Sequence, residues 1–269
     1  MRKHFLLALA IGAFATSCQK HDANINTEPA PISAETLVKI KNLGFGTDGV
    51  RKVNDGYLVE GDIVLTEELL NGNNSAKLLR IAGTEQYRTT NVVSAPRNIT
   101  VKVSNLGSAF IAGTDTAIAR YNRLGLSITF SRITSGTAAI TITGFNQGPS
   151  GGYITLGSSG FPTSSGAPYS SILMNTNSAA YGSNPNVLYV GSVIQHEIGH
   201  CIGFRHTDYY NRAYSCGGSA VNEGASNVGA ILIPGTPSTA NANSWMLACS
   251  NGGNRTFNSY DIIALNYLY

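Results

Sequence analysis

Five residues in the second half of the chain have the types and the spacing of a helical metal site. His196 and His200 stand four positions apart, so on a helix both imidazoles project from one face. Glu197 lies beside the first histidine, where its carboxylate can exchange protons with water. Gly203 can adopt the positive φ that ends a helix, and the chain can then return His206 to the same ion. Three imidazoles leave the fourth position of a zinc ion open, as a catalytic site requires and a structural site does not.

The alternative to a metal site is a chance pattern on an ordinary helix. The chain has only five histidines, and three of them fall in this pattern. The pattern therefore favours metal binding.

A second motif lies about forty residues after His206. Met246, within the run from Ser244 to Cys249, is similar to the methionine-containing turn beneath the metal of metzincins, and a buried core methionine is the alternative. The segment from Phe257 to Tyr269 follows with helical periodicity, and Ser259 is its candidate N-cap. This order predicts a helix that closes the domain.

The stretch from His196 to Asp208, with Cys216 and the turn ending at Cys249, resembles the bacterial dual-action HEIGH metallo-peptidases of the metzincin clan. The resemblance implies an α+β catalytic domain. Its expected parts are a twisted, mostly parallel sheet with an antiparallel edge strand, an active-site helix, a Met-turn at Met246 and a C-terminal helix.

The same resemblance implies a zinc peptidase with one catalytic Zn²⁺. His196, His200 and His206 are the expected metal ligands, and Glu197 is the expected general base. Asp208 is expected to orient its loop or a histidine without binding the metal, and a surface cap is the alternative.

The N-terminus has the order of a signal peptide. Basic residues precede an apolar run from Phe5 to Phe14, which is too short to span a bilayer, and small residues follow. Cys18 comes directly after them, as in the lipobox of bacterial lipoproteins, and is the lipidation candidate; an incidental cysteine in a secretory signal is the alternative. We expect an exported protein, either an outer-membrane or cell-surface lipoprotein or a secreted protein.

The other cysteines are Cys201, Cys216 and Cys249, and their odd number leaves at least one unpaired. A disulfide between Cys216 and Cys249 would tie the loop after His206 to the turn at Met246. This is the preferred pairing, although the sequence alone leaves the connectivity open.

The sequence of the region before the catalytic domain indicates a propeptide. We expect a signal peptide over residues 1–18, a linker over 19–33, a propeptide-like region over 34–86 and the catalytic domain over 87–269. The run from Tyr57 to Leu65 is expected to be extended. Within it, the four residues from Glu60 to Ile63 are similar to the astacin propeptide segment whose aspartate fills the zinc position, so Asp62 is the latency candidate; an ordinary strand aspartate is the alternative.

Local patterns in the catalytic domain predict a sheet with flanking helices. The expected strands are Asn98 to Val103, Leu126 to Ile133, Ala138 to Phe145, an edge strand at Tyr153 to Ser158, and Ser171 to Asn175; the expected helices are Ser108 to Leu124 and an active-site helix starting at Pro185-Asn186. A substrate peptide is expected to add antiparallel to the edge strand.

The amino-acid composition of the chain limits the kinds of partner that it can bind. Charged residues make up 12% of the chain and the net charge is +3, which is too little basic density for a nucleic-acid binder. Membrane contact is expected only through lipid at Cys18. The expected function is therefore a zinc endopeptidase made as a zymogen. The alternatives are a zinc hydrolase of peptidoglycan peptides and an inactive surface-binding protein, and Glu197 argues against the latter because a binder needs no general base.

Overall fold

The first elements within the described residues form a small layer of two helices and three strands. They are α1 (Ala34–Asn42), β1 (Arg51–Val53), β2 (Gly56–Val59), β3 (Ile63–Thr66) and α2 (Glu67–Asn71), with the strands antiparallel in the order β1-β2-β3. One cluster of buried apolar side chains holds them together: Ile40, Leu43, Phe45, Val59, Ile63, Leu65 and Leu70. We call residues 31–71 the N-terminal segment.

The computed structural model describes residues 31–43, 45–53, 56–71, 86–224, 229–237 and 239–269. The predicted signal peptide, Cys18 and most of the predicted linker lie outside these residues. Residues 32–269 form one compact unit. None of the helices in the described ranges combines the length and the apolar character that a bilayer-spanning segment needs.

The run from Tyr57 to Leu65 is not one extended strand, and that prediction is wrong. A turn at Glu60, Gly61 and Asp62 separates β2 from β3. Glu60 has φ 55° and Gly61 has φ 91°, so two successive residues lie in the left-handed region. This turn projects from the hairpin toward the histidine cluster described below.

The remaining elements follow in chain order: β4 (Tyr87–Arg88), β5 (Arg97–Val103), α3 (Ser108–Asn122), β6 (Ile128–Ile133), β7 (Ile140–Phe145), β8 (Gly157–Ser158), β9 (Ser171–Asn175), α4 (Ser178–Tyr181), α5 (Val187–Ile202), α6 (Ala213–Cys216), β10 (Ile231–Leu232) and α7 (Ser259–Leu268). A five-stranded sheet has the order β6-β5-β7-β9-β8. Every pair in it is parallel except β8 with β9. The prediction of a mostly parallel sheet with an antiparallel edge strand is confirmed.

The main core contains side chains of both the sheet and the helices. Alternate residues of the strands are buried, among them Ile99, Val101 and Ile172, and Ile194 of α5 joins the same cluster. Helices α3 and α5 pack closely because both carry glycine at the contact. A Cβ on Gly113, for example, would lie 2.9 Å from the Cγ1 atom of Val190.

Several predicted boundaries differ from the structure, among them those of the edge strand and of the C-terminal helix. The edge strand is restricted to Gly157–Ser158, because these two residues alone pair with β9 in a regular ladder. Helix α7 is capped by Asn258 and not by Ser259. The Asn258 side chain accepts hydrogen bonds from the backbone of Tyr260 and Asp261, and the Asp261 carboxylate accepts from Asn258 N, which completes a capping box.

Candidate metal centre

Helix α5 places the first two histidines of the motif. It begins at Asn186, whose side-chain oxygen accepts hydrogen bonds from Leu188 N at 2.9 Å and Tyr189 N at 3.1 Å. It ends at Gly203, which has φ 113°. A Cβ there would also approach Asn91 O to 3.0 Å, so both the backbone angle and the space require glycine.

The three histidines of the motif converge on one point. The Nε2 atoms of His200 and His206 are 3.2 Å apart. The ring centroid of His196 lies 4.7 Å from that of His200 and 5.4 Å from that of His206. His200 and His206 are completely buried. The turn after Gly203 thus returns the third imidazole to the face that carries the first two.

The Nδ1 atom of each imidazole is bound to an acceptor of the chain. His196 Nδ1 donates to Trp245 O at 2.9 Å, and His200 Nδ1 donates to Phe204 O at 2.8 Å. His206 Nδ1 contacts both carboxylate oxygens of Glu223 at 3.0 Å. Carbonyl and carboxylate oxygens cannot donate, so the protons are on Nδ1. The Nε2 lone pairs therefore face the point of convergence, as metal coordination requires.

This donor set fits zinc. Tetrahedral bonds of about 2.0–2.1 Å separate two ligand nitrogens by roughly 3.4 Å, close to the distance between His200 and His206. Because two facing lone pairs repel each other, a proton or a metal cation must lie between Nε2 atoms at this distance. Asp62 and the three histidines have ligand atoms within 4.8 Å of one another.

Asp62 of the N-terminal segment lies against the three imidazoles. Its Oδ2 atom is 3.0 Å from His206 Nε2, 3.3 Å from His196 Nε2 and 3.9 Å from His200 Nε2. Burial alone would raise the pKa of Asp62, but the charge of His206 and the close contacts with the three imidazoles hold it well below its ordinary value. The carboxylate therefore stays ionised at the metal centre.

The pKa values of the two buried histidines shift in opposite directions. Burial lowers the pKa of His200 to about 4, although Asp62 acts against this shift. Burial also acts to lower the pKa of His206, but Asp62 and Glu223 together raise it well above its ordinary value. Of the two rings, His206 is thus the one whose charged form is favoured by its carboxylate neighbours.

The N-terminal segment reaches the histidines by pairing with the sheet edge. Val64 N donates to Ser159 O at 2.9 Å, and Ser159 N donates to Asp62 O at 2.9 Å. The bridge between Ile63 and Ser159 is parallel. The segment therefore lies along the edge in the direction opposite to that expected for a substrate.

Glu197 is buried beside the histidines and is held by the same edge. Ser159 Oγ donates to Glu197 Oε2 at 2.7 Å. Gly157 leaves the space for this carboxylate, because a Cβ there would lie 2.8 Å from Glu197 Oε1. Burial, and secondarily the charge of Asp62, raises the pKa of Glu197 well above its ordinary value. Both effects favour the protonated form of this carboxylate.

Met246 is buried directly beneath α5. A Cβ on Gly199 would lie 2.6 Å from Met246 Sδ, so the methionine contacts the helix between its two histidines. Thr207 N donates to Met246 O at 2.9 Å, which joins this turn to the third histidine. The side chain of Asp261 accepts a hydrogen bond from Trp245 N at 3.3 Å and supports the turn from below.

Asp208 connects two loops and makes no hydrogen bond to the three imidazoles. Its Oδ1 atom accepts from Ala248 N at 2.9 Å and its Oδ2 atom accepts from Ser215 Oγ at 2.6 Å. Cys216 and Cys249, the preferred pair, form a disulfide across the same loops. Cys201 is a buried free thiol. Of the two roles expected for Asp208, the structure shows the orientation of its loop.

Glu223 is a site residue that the sequence analysis missed. It binds His206 Nδ1 and lies 3.2 Å from the Nε atom of Arg212. It stands in a loop without periodicity, so no pattern marks it. One signal was available, since Glu223 is the only acidic residue between Asp208 and Asp261.

Comparison with known proteins identifies a family. Residues 57–269 match the family model described as dual-action HEIGH metallo-peptidase. One similar solved structure, titled "Structure of Myroilysin", is 14% identical with a TM-score of 0.42, over 67% of this chain and 82% of that chain. Another, "Crystal structure of myroilysin", is 17% identical with a TM-score of 0.40, over 82% and 99%. No curated protein matches the sequence.

Proposed function

The chain belongs to the dual-action HEIGH metallo-peptidase family, and on this premise we propose that it is an exported zinc endopeptidase of the metzincin type, made as a zymogen. A metallopeptidase acts on peptides or proteins. The single observation that carries the finer proposal is the convergence of three Nε2 atoms on Asp62 Oδ2. This arrangement supports both a metal site and its blockage by the chain itself.

His196, His200 and His206 would hold the metal. Zinc at this position supplies a Lewis acid that polarises the scissile carbonyl and lowers the pKa of water towards about 7. Glu197 accepts the proton of the attacking water and delivers it to the leaving amine. Met246, as the Met-turn, supports the floor of the site through its contact with Gly199.

Asp62 would keep the enzyme latent. A carboxylate is a competent zinc ligand, and the pairing of residues 62–64 with Ser159 holds it in place. Because the segment lies parallel to the edge, its peptide bonds run opposite to those of an antiparallel substrate. On this reading residues 34–86 are the propeptide and the catalytic domain begins near Tyr87.

We also propose a route of export for the protein and a way in which it binds substrate. Residues 1–18 would direct export, with lipid at Cys18 as the anchor or with release of a secreted form. The disulfide between Cys216 and Cys249 supports an oxidising compartment. A substrate would pair antiparallel with the edge at Gly157 and Ser158.

The decisive variant is Glu197→Gln, made in the native chain and in the Asp62→Ala background. We expect bound zinc to be retained and hydrolysis to fall by about 10²–10⁴-fold, because the carboxylate transfers protons and is not a ligand. Zinc content and cleavage of casein, gelatin and purified cell wall are measured together.

Glu35→Gln, at an exposed surface pair with Lys39, is the matched control. Turnover within about tenfold of the parent chain would contradict the role of Glu197. Cleavage of cell wall alone would support a peptidoglycan hydrolase, and zinc binding without any hydrolysis would support an inactive binding protein.

A further inference from the structure

A buried ion pair joins the N-terminal segment to the catalytic region beside the metal centre. Glu60 Oε2 lies 3.5 Å from an Nη atom of Arg205, and both side chains are almost completely shielded from solvent. Arg205 directly precedes His206. The pair therefore lies one residue from a proposed ligand, in the region that Asp62 closes.

The catalytic region alone can hold the guanidinium in place. Arg205 donates to Gly229 O at 3.2 Å and to Gly224 O at 3.1 Å. Its guanidinium carbon lies 5.8 Å from the ring of Phe161 and 5.6 Å from that of Tyr209. These four residues lie outside the N-terminal segment. Departure of the segment would therefore remove Glu60 and the ring of Phe45, 5.5 Å from the guanidinium carbon, but would leave these four partners in place.

Two guanidinium groups, those of Arg205 and Arg212, border the turn that carries Glu60. In the closed chain, burial and the neighbouring Glu223 raise the pKa of Glu60 well above its ordinary value, although Arg205 acts against this shift. Glu223 is itself paired with His206 and Arg212. Arg212 also borders the turn, because a Cβ on Gly61 would lie 3.2 Å from its Nη2 atom.

We propose that Arg205 forms a specificity subsite for an aspartate or glutamate side chain of the substrate, and that Glu60 fills this subsite in the latent chain. This inference rests on the proposed function and adds a substrate class to it. An ionised carboxylate accepts charge-assisted hydrogen bonds from a guanidinium that are stronger than those of a neutral amide, so an acidic side chain is bound better than its uncharged analogue.

Chain direction tells which substrate residue enters the subsite. Asp62 lies at the metal centre, and the segment lies parallel to the edge at Ser159. An antiparallel substrate has the reverse direction, so the position of Glu60, before Asp62, corresponds to a residue after the scissile bond. The selected acid therefore lies on the C-terminal side of the bond that is cut.

The test uses the full chain with Glu60→Gln and Asp62→Ala, which removes both acidic groups from the cleft. A peptide library is digested and the cut sites are read by mass spectrometry; matched peptides with Glu, Asp, Gln or Leu at the enriched position are then compared. We expect kcat/KM for Glu or Asp to exceed that for Gln by about tenfold or more. Equal values for Glu and Gln would overturn the proposal.

The role of Arg205 is tested by its substitution with Gln in the same background. The Glu to Gln ratio should fall close to one, and Arg205→Lys should retain part of the preference. An unchanged ratio in the Gln variant would overturn the assignment to Arg205. Since a buried arginine can be needed for folding, the peptide comparison with Arg205 intact stands as an independent measurement.

A binding arm separates this inference from the proposed function. Glu197→Gln is added to the Glu60→Gln, Asp62→Ala chain, and fluorescence anisotropy gives Kd for labelled peptides with Glu or Gln on the C-terminal side. Tighter binding of the Glu peptide would support the subsite. It would do so even if none of the variants hydrolysed peptides, because loss of hydrolysis contradicts only the proposed function. Equal Kd values would overturn the subsite.

Discussion

Each imidazole of the centre is oriented by a different kind of acceptor. His196 and His200 donate to backbone carbonyls, whereas His206 donates to the carboxylate of Glu223. A carboxylate partner raises the basicity of the opposite ring nitrogen more than a carbonyl does. His206 is therefore the proposed ligand whose metal affinity depends most on one side chain.

Replacement of Glu223 by alanine should weaken zinc binding by about 10–100-fold, because His206 loses its orienting acceptor. Competitive titration with a zinc chelator gives the dissociation constant. Glu67→Ala, at an exposed glutamate paired with Lys52, is the control and should leave it unchanged. Equal zinc affinity of the two variants would show that Glu223 does not support the ligand.

Replacement of Gly157 by alanine should displace the proposed base without removing metal. The new Cβ would lie 2.8 Å from Oε1 and 3.0 Å from Cγ of Glu197, so the carboxylate must move. A shift of about 1 Å can lower kcat/KM by about 10²-fold. Gly148→Ala, where a Cβ would meet nothing within 4 Å, is the control. Activity like that of the control would argue against this positioning role.

At the scale of elements, α5 and the turn at Met246 form one unit. Gly199 is the contact point, because its lack of a side chain lets Trp245 and Met246 pack against the helix between His196 and His200. The His196 ring in turn binds Trp245 O. The helix and the turn thus fix each other's position.

A methyl group at this contact should destabilise the protein. Gly199→Ala would bring Cβ within 2.6 Å of Met246 Sδ, and overpacking of this kind costs about 1–3 kcal/mol. The midpoint of chemical unfolding should fall, and Gly148→Ala provides the baseline. An unchanged midpoint would mean that the turn can move away from the helix at little cost.

The elements that periodicity specifies were predicted well. The strand Ser171–Asn175 was predicted with its observed bounds, and α5 begins directly after Asn186. The turn from Glu60 to Asp62 could not be predicted, because its left-handed glutamate is held by contacts with distant residues such as Arg205. The pairing of Glu223 with His206 was missed for the same reason, since it joins two loops by tertiary structure alone.

At the scale of the whole molecule, the N-terminal segment and the catalytic region share one polar network. Asp62 contacts the histidines, Glu60 contacts Arg205, and Ser159 binds both the segment backbone and Glu197. The segment also has its own apolar cluster. It is therefore a folded unit whose polar turn lies at the three histidines, as the proposed latency requires.

Replacement of Asp62 by alanine should raise the activity of the full chain. A tethered carboxylate has an effective concentration in the millimolar range or above, so its loss removes a strong competitor for the metal. Hydrolysis of casein by the uncut chain is measured, with zinc content as a check. Asp48→Ala, at an exposed position of the same segment, should have no effect. Equal activity of the two variants would indicate that residues 34–86 have an accessory role.

On the proposed function, the direction of the N-terminal segment along the sheet edge has a pharmacological consequence. A synthetic peptide that copies residues 60–64 would enter the cleft backwards and present a carboxylate to the metal. It would offer no bond to the catalytic groups in the orientation that they cut. Such a peptide is a template for an inhibitor that resists digestion by its own target, and the contact of Glu60 with Arg205 would give it selectivity over zinc peptidases that lack a cation there.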